Sequence, residues 1–251
     1  MRTSPDYRIA GLLTALLATP LLVPESAGAA PAAAQPVKPA PTVATPLPET
    51  HTGNPTTKSL DFDKVFSTRG EPATLHYRAT YQAKGTDHTV EVWRQGDTRI
   101  RRSADGVVET YLTKPGKDPE WHMVVLDQKR QLRSDVDRTA LFKVGRFMDW
   151  FSFAHAIGHP TAGYTLVAAS APANLPKTLA PCQWYVLTRE GHDASVCWSA
   201  QYRIPLLISG APGKVSWRVA SIDTGRLPAA TFEIHDAGYI RNNASQDIEN
   251  D

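Results

Sequence analysis

The stretch from Cys182 to Ile208, CQWYVLTREGHDASVCWSAQYRIPLLI, constrains the fold most. It holds both cysteines of the chain and its clearest hairpin pattern. Cys182, Trp184, Val186 and Thr188 alternate with Gln183, Tyr185 and Leu187, the two-residue period of a strand. A polar turn follows around Arg189-Glu190-Gly191-His192-Asp193, and Ala194 to Tyr202 repeats the period. With Cys182 opposite Cys197, the midpoint falls between Arg189 and Glu190 and Trp184 faces Ser195. Both cysteines then share one face of an antiparallel pair. A cross-strand disulfide needs Cα atoms within about 7 Å, and closing a loop of this size restricts the unfolded chain by roughly 3 kcal/mol in the entropic model. The alternative is two buried free thiols; an exported chain favours the disulfide.

Export is what the N-terminus predicts. Arg2 and Arg8 form a basic region, Ile9 to Val23 a largely apolar core, and Ala27-Gly28-Ala29 a small-residue cleavage pattern. Gly11, Thr14, Thr19 and Pro20 interrupt the apolar run, which is shorter than the ~20 residues a bilayer core requires. Residues 1–29 therefore read as a signal peptide, and no later segment is apolar enough to span a membrane. The mature protein is expected in the periplasm or secreted. Residues 30–57, with prolines at 31, 36, 39, 41, 46, 48 and 55, form an Ala/Pro-rich linker with few large apolar side chains. The folded domain is expected over 58–241 and a frayed polar tail over 242–251.

Within the domain, short alternating runs end at turn signals. Ser59 to Phe66 suggests a short helix with Leu60, Val65 and Phe66 inward. Thr74–Ala83, Thr89–Arg94, Thr98–Arg102, Val107–Leu112, Trp121–Leu126 and Gln131–Ser134 read as a meander of strands. In the second of these, Val90, Val92 and Arg94 oppose Glu91, Trp93 and Gln95. Parallel crossovers need a dozen or more residues, so these tight connections imply antiparallel pairing. From Asp137 to His159 the period changes: Leu141, Val144, Met148, Phe151, Ala154 and Ile157 recur at three- and four-residue steps. Asp137 is the expected N-cap and Gly158 the stop, and Gly145 permits a break into two short helices. Gly163–Ala169, the hairpin, Arg203–Ile208, Val215–Ile222 and a last short strand at Ala230–Ile234 complete the pattern. The fold class expected is α+β, a strongly curved antiparallel sheet of about 10–11 strands, a half-barrel closed by one long or two short helices.

Certain motifs resemble a known family. The meander EVWRQGDTRIRRSADGVVETYL…WHMVVLDQKRQLRS is followed by Gly163-Tyr164-Thr165-Leu166, Cys182-Gln183-Trp184-Tyr185, Cys197-Trp198, Pro205-Leu206-Leu207 and LPAATFEI from Leu227 to Ile234, with Gly238-Tyr239 after it. This order resembles the LolA-like half-barrel superfamily of periplasmic proteins, especially its relatives with a disulfide-bearing second half, over residues 60–240. The resemblance implies an incomplete barrel whose concave side holds acyl chains or other apolar ligands, in carriers and in stress-sensing regulators alike. No carrier-specific ligand residue aligns. A concave face of this kind is lined mainly by apolar residues, and the candidates here are Trp93, Phe142, Phe147, Trp150, Phe151, Phe153, Trp184 and Trp198.

Other chemistries find little footing. The net charge is +2, from 27 basic and 25 acidic residues, and removing 1–56 leaves it unchanged; a nucleic-acid partner is not expected without a concentrated basic face. Arg99-Ile100-Arg101-Arg102 reads as a solvated strand face. His155 and His159 have the spacing of a helical zinc pair, but no glutamate follows His155 as in a metalloprotease, and His159 falls past the helix end. The serines lack a G-x-S-x-G context, and the cysteines, fifteen apart, lack C-x-x-C spacing. The sequence thus predicts no enzyme, cofactor or metal. It predicts a lipid or acyl-chain ligand, with an envelope protein-interaction or stress-sensing module as the alternative.

Overall fold

Tight turns build most of this molecule. At Lys84-Gly85, Asp105-Gly106 and Glu190-Gly191 both central residues have positive φ (50° and 77°, 51° and 64°, 51° and 76°), the geometry that matches the twist of paired strands and that X-Gly favours. The computed structural model describes residues 59–115, 120–137, 149–160, 162–210 and 214–243. Six strands form a first meander: β1 (Thr74–Ala83), β2 (Thr86–Gln95), β3 (Arg99–Ala104), β4 (Val108–Thr113), β5 (His122–Asp127) and β6 (Leu132–Asp137). Five form a second: β7 (Tyr164–Ala169), β8 (Gln183–Arg189), β9 (His192–Ser199), β10 (Ile204–Ser209) and β11 (Val215–Asp223). The meanders join where β11 pairs antiparallel with β1. A short strand β12 (Ile240–Asn243) adds parallel to β6. The result is one sheet in the order β12-β6-β5-β4-β3-β2-β1-β11-β10-β9-β8-β7.

This corrects the expected fold class. Among the described residues the sheet has twelve strands and is not curled into a half-barrel, its outermost strands β12 and β7 do not pair, and no long helix closes it. Among the described residues the α-helices are α1 (Phe62–Val65) and α2 (Trp150–His155). Asp137 is the last residue of β6; the helix it was expected to cap falls on residues 138–148, which include Leu141, Val144, Gly145 and Met148 and lie outside the described residues. The cap of α2 is Asp149, whose Oδ1 accepts hydrogen bonds from the Ser152 N–H (2.7 Å) and hydroxyl (2.6 Å). The helix stops at Ala156, in the left-handed region (φ 55°), two residues before the expected glycine. A helical period in the sequence marks an apolar stripe and cannot show where a capping aspartate restarts the chain.

Much of the core lies between the helices and one face of the sheet, while Cys197 and Leu207, a cross-strand pair on the opposite face of the second meander, are fully buried as well. Phe62 and Phe66, at either end of α1, are buried with Phe153, Ala154 and Ile157 against Leu75, Tyr77, Val92, Ile100, Leu112 and Met123, and against Leu187, Val196 and Ile204 of the second meander. Phe66 faces inward as expected, whereas Leu60 remains 38% exposed. Where a last strand was expected at Ala230–Ile234, residues Ala229–Phe232 form a 3-10 turn after Pro228. The last strand is the polar Ile240–Asn243, which owes its conformation to pairing with β6. No helix among the described residues is long and apolar enough to cross a membrane.

The disulfide Cys182–Cys197 is present, with Cα atoms 5.4 Å apart. Its register differs from expectation by two residues. Gln183 pairs with Trp198 and Trp184 with Cys197, so the turn is centred on Glu190-Gly191. Cys182 therefore reaches Cys197 diagonally on a shared face, not from directly across.

Candidate functional site

The aromatic residues expected around one hollow divide among separate places. Phe153 and Trp198 are buried on the helix-bearing side. Phe153 meets Trp121 edge-on at 5.6 Å, and Trp198 meets Phe66 at 5.0 Å. Phe151, half-buried, lies between His155 and His159, 4.5 Å from each ring. Trp150 is half-buried, with Lys114 Nζ 5.9 Å over its ring. Phe142 and Phe147 lie outside the described residues. Trp93 and Trp184 follow the strand alternation onto the face opposite their buried neighbours, Val92 and Arg94 for the first and Tyr185 for the second; Trp184 nevertheless packs against the core, paired with the buried Cys197. Sequence reasoning placed Phe66 inward without counting it among these rings and missed Phe62, Trp121 and Tyr185; all four are buried in the core together with Phe153 and Trp198.

Beside these rings lies a buried charged cluster. Arg94 is completely buried. Its Nη1 donates to the Ala154 carbonyl (3.1 Å) and stands 3.4 Å from Glu71 Oε2. His155 Nδ1 is 2.7 Å from the Arg203 carbonyl and 3.0 Å from Arg94 Nη1. A carbonyl oxygen can only accept, so Nδ1 carries its proton toward Arg203, and Arg94 Nη1, itself a donor, is a close neighbour of Nδ1 without a hydrogen bond to it. Nε2 is then the unprotonated nitrogen, 3.4 Å from Glu71 Oε2. Arg203 adopts φ 55° at the β9–β10 turn, which aims that carbonyl at the imidazole. Burial and then the Arg94 charge lower the His155 pKa from 6.5 to about 3. Burial raises that of Glu71. His159 is engaged elsewhere: Nδ1 meets Asp149 Oδ2 at 2.5 Å and Nε2 meets Asp63 Oδ1 at 2.9 Å, tying α1 to the cap of α2. The two histidines four apart therefore serve different contacts and do not face one ligand.

The cluster makes stability pH-dependent. An unfolded His155 binds a proton near pH 6.5 and the folded one does not until about pH 3. Its stabilising contribution is complete above pH 6.5 and is lost as pH falls toward 3, by about 2 kcal/mol at pH 5 and about 3 kcal/mol at pH 4. Glu71 acts with the opposite sign, because its raised pKa lets the folded state take up a proton first. Urea unfolding at pH 7 and pH 5 should show a fall in midpoint that His155→Gln largely removes. Equal falls in both proteins would sink this assignment.

The other face of the first meander carries a different constellation. Cross-strand register places His76, Trp93, Arg101 and Tyr111 in one row over β1–β4, continued by Val124 and Asp135. His76 stacks on Trp93 at 5.0 Å with planes 6° apart. The Arg101 guanidinium sits 4.6 Å from the Trp93 ring centre and 5.5 Å from that of Tyr111. Arg101 Nη2 also pairs with Glu109 (2.8 Å), which accepts the Tyr111 hydroxyl proton. Arg99 and Arg101 are thus not a merely solvated charge run. The alternation showed that they share a face, but not that aromatic rings stand beside them.

The chain's own C-terminal segment crosses this face. Thr74 Oγ1 donates to the Thr224 and Gly225 carbonyls at 3.0 Å each. Further along, Arg99 lies 5.0 Å over the Phe232 ring, and Arg101 Nη1 donates to the Thr231 carbonyl at 3.2 Å. Arg133 then pairs with Asp236 at 2.6 Å, and the Ile240 N–H donates to the Gln131 carbonyl at 2.8 Å, where β12 begins. In order, residues 224–243 pass from β1 over β3 to the edge of β6.

No family model matches this chain, and no curated protein matches it. Among solved structures, the crystal structure of MucB is 18% identical, with the match covering 68% of this chain and 61% of MucB at a TM-score of 0.35. The structure of PNGF-II is 8% identical, covering 70% of this chain and 32% of that one at a TM-score of 0.28. This chain thus spans about three fifths of MucB and a third of PNGF-II. Likenesses this low in TM-score carry no argument about fold or function.

Proposed function

We propose that this chain is an exported, non-enzymatic protein-interaction module that binds polypeptide on the outer face of β1–β6. The observation carrying this reading is the row His76–Trp93–Arg101–Tyr111, together with the main-chain carbonyl of Thr231 that Arg101 holds upon it. Stacked rings offer contact area at low conformational cost. A guanidinium offers main-chain carbonyls a fixed fork of donors, and aromatic residues and arginine are the side chains that dominate protein interfaces. The signal-like N-terminus and the disulfide support a place outside the cytoplasm. Carriage of a lipid in a hollow is the weaker reading, because it rested on a half-barrel and the rings beneath the helices contact one another.

Two measurements test the reading. Native mass spectrometry of the full chain recovered from an exporting host should give the mature protein mass without an acyl lipid. A photo-reactive side chain in place of Ser103, on the outer face, should cross-link to polypeptide in an envelope fraction, and that cross-linking should fall at least tenfold with Trp93→Ala and Arg101→Ala. A stoichiometric bound lipid, or cross-linking indifferent to both substitutions, would overturn it.

A further inference from the structure

The segment lying on the outer face describes what that face can recognise. It is held differently from the core. None of the four residues of its 3-10 turn is buried, and Ile240 is 69% exposed. Its anchors are instead a carbonyl on Arg101, a ring under Arg99, a carboxylate on Arg133 and a main-chain bond from Ile240 to Gln131. Beneath it, Tyr111 and Glu109 are buried. The surface under the segment is therefore built and enclosed, while the segment above contributes little apolar burial of its own. A parallel four-residue edge strand, one of the shortest paired elements of this sheet, completes the contact. Such a segment resembles a bound peptide more than a part of the core: side-chain pockets set its register and strand addition extends it.

Resting on the protein-interaction reading above, we infer that the outer face and the β6 edge form a peptide-recognition site which the chain's C-terminal segment occupies in cis. The partner that displaces it is an extended segment of another protein, with an aromatic residue followed four positions later by a carboxylate and then a β-strand. Phe232 and Asp236 define that spacing, and Arg99 and Arg133 read it. Tethering gives the resident segment an effective concentration in the millimolar range. A competing partner therefore gains access in proportion to how far the Arg133–Asp236 pair is weakened.

The test uses the full chain and a fluorescent peptide of residues 226–243. Asp236→Arg in the chain repels the resident segment from Arg133 and leaves the receiving face intact. The peptide is expected to bind this variant saturably and at least tenfold more tightly than it binds the unaltered chain. Peptides carrying Phe232→Ala or Asp236→Arg should bind at least tenfold more weakly. The full chain with Phe232→Ala, a half-buried residue, is a second host in which the same order of affinities is expected. Absence of saturable binding to either host at about 1 mM peptide, or affinities indifferent to both peptide changes, would overturn the inference. So would a concentration-dependent dimer of the unaltered chain that Arg133→Asp abolishes, which would assign the face to a second copy. Cross-linking from Ser103 that still requires Trp93 and Arg101, alongside a failed peptide titration, would leave the interaction reading standing and remove only this partner chemistry.

Discussion

Arg94→Met is expected to lower the free energy of unfolding by about 3–5 kcal/mol, the usual cost of removing one member of a buried ion pair. The guanidinium is fully enclosed, and its loss leaves Glu71, whose side chain is 20% exposed, without its nearest cation. Glu71 would respond by holding a proton to higher pH, so part of the loss should diminish on acidification. The double variant Arg94→Met/Glu71→Leu should recover most of the stability, since well-packed apolar residues often replace a buried pair at no net cost. Urea unfolding measures both. A single-variant loss below about 1 kcal/mol would mean that the cluster contributes little to folding.

The second large effect is expected at Phe66. This residue closes α1, is 1% exposed, and meets Phe62 at 4.7 Å, Trp198 at 5.0 Å and Tyr185 at 5.8 Å, each edge-on. Phe66→Ala should cost about 3–5 kcal/mol through lost burial and the cavity left among rigid rings. Leu60→Ala, six residues earlier on an exposed site, should change stability by less than about 0.5 kcal/mol. Comparable losses at the two positions would show that α1 is fixed by its backbone contacts rather than by the Phe66 ring.

Local pattern made much of the sheet legible. The bounds of β1 follow from the alternation of Leu75, Tyr77, Ala79 and Tyr81, and the same period placed Arg94 inward with Val90 and Val92, where it is buried. That period also placed Trp93 outward, so counting it among residues of an inner hollow conflicted with its own strand. Register was harder to read. A shift of two residues preserves every inward and outward position, and only the turn geometry at Glu190-Gly191 distinguishes the true pairing of β8 with β9. Fold class failed at a longer range, because alternation reports which face is buried and not how far a sheet curls. The strand at Ile240–Asn243 was hidden for a similar reason: IRNN carries no apolar alternation and is extended because β6 offers it an edge. The charged cluster joins Glu71, Arg94, His155 and Arg203, which lie far apart in the chain, and no spacing rule connects them.

The seam between β1 and β11 also bears on how the molecule is made. As the polypeptide lengthens from its N-terminus, β1 is complete at Ala83, but its partner is not finished until Asp223. At ~5–20 residues per second, synthesis of the intervening stretch takes roughly 7–28 s. Throughout that interval the long side of β1 offers unpaired amides and carbonyls to any neighbouring chain. Until its eleventh strand arrives, a nascent copy thus carries an open strand edge to which another chain can pair.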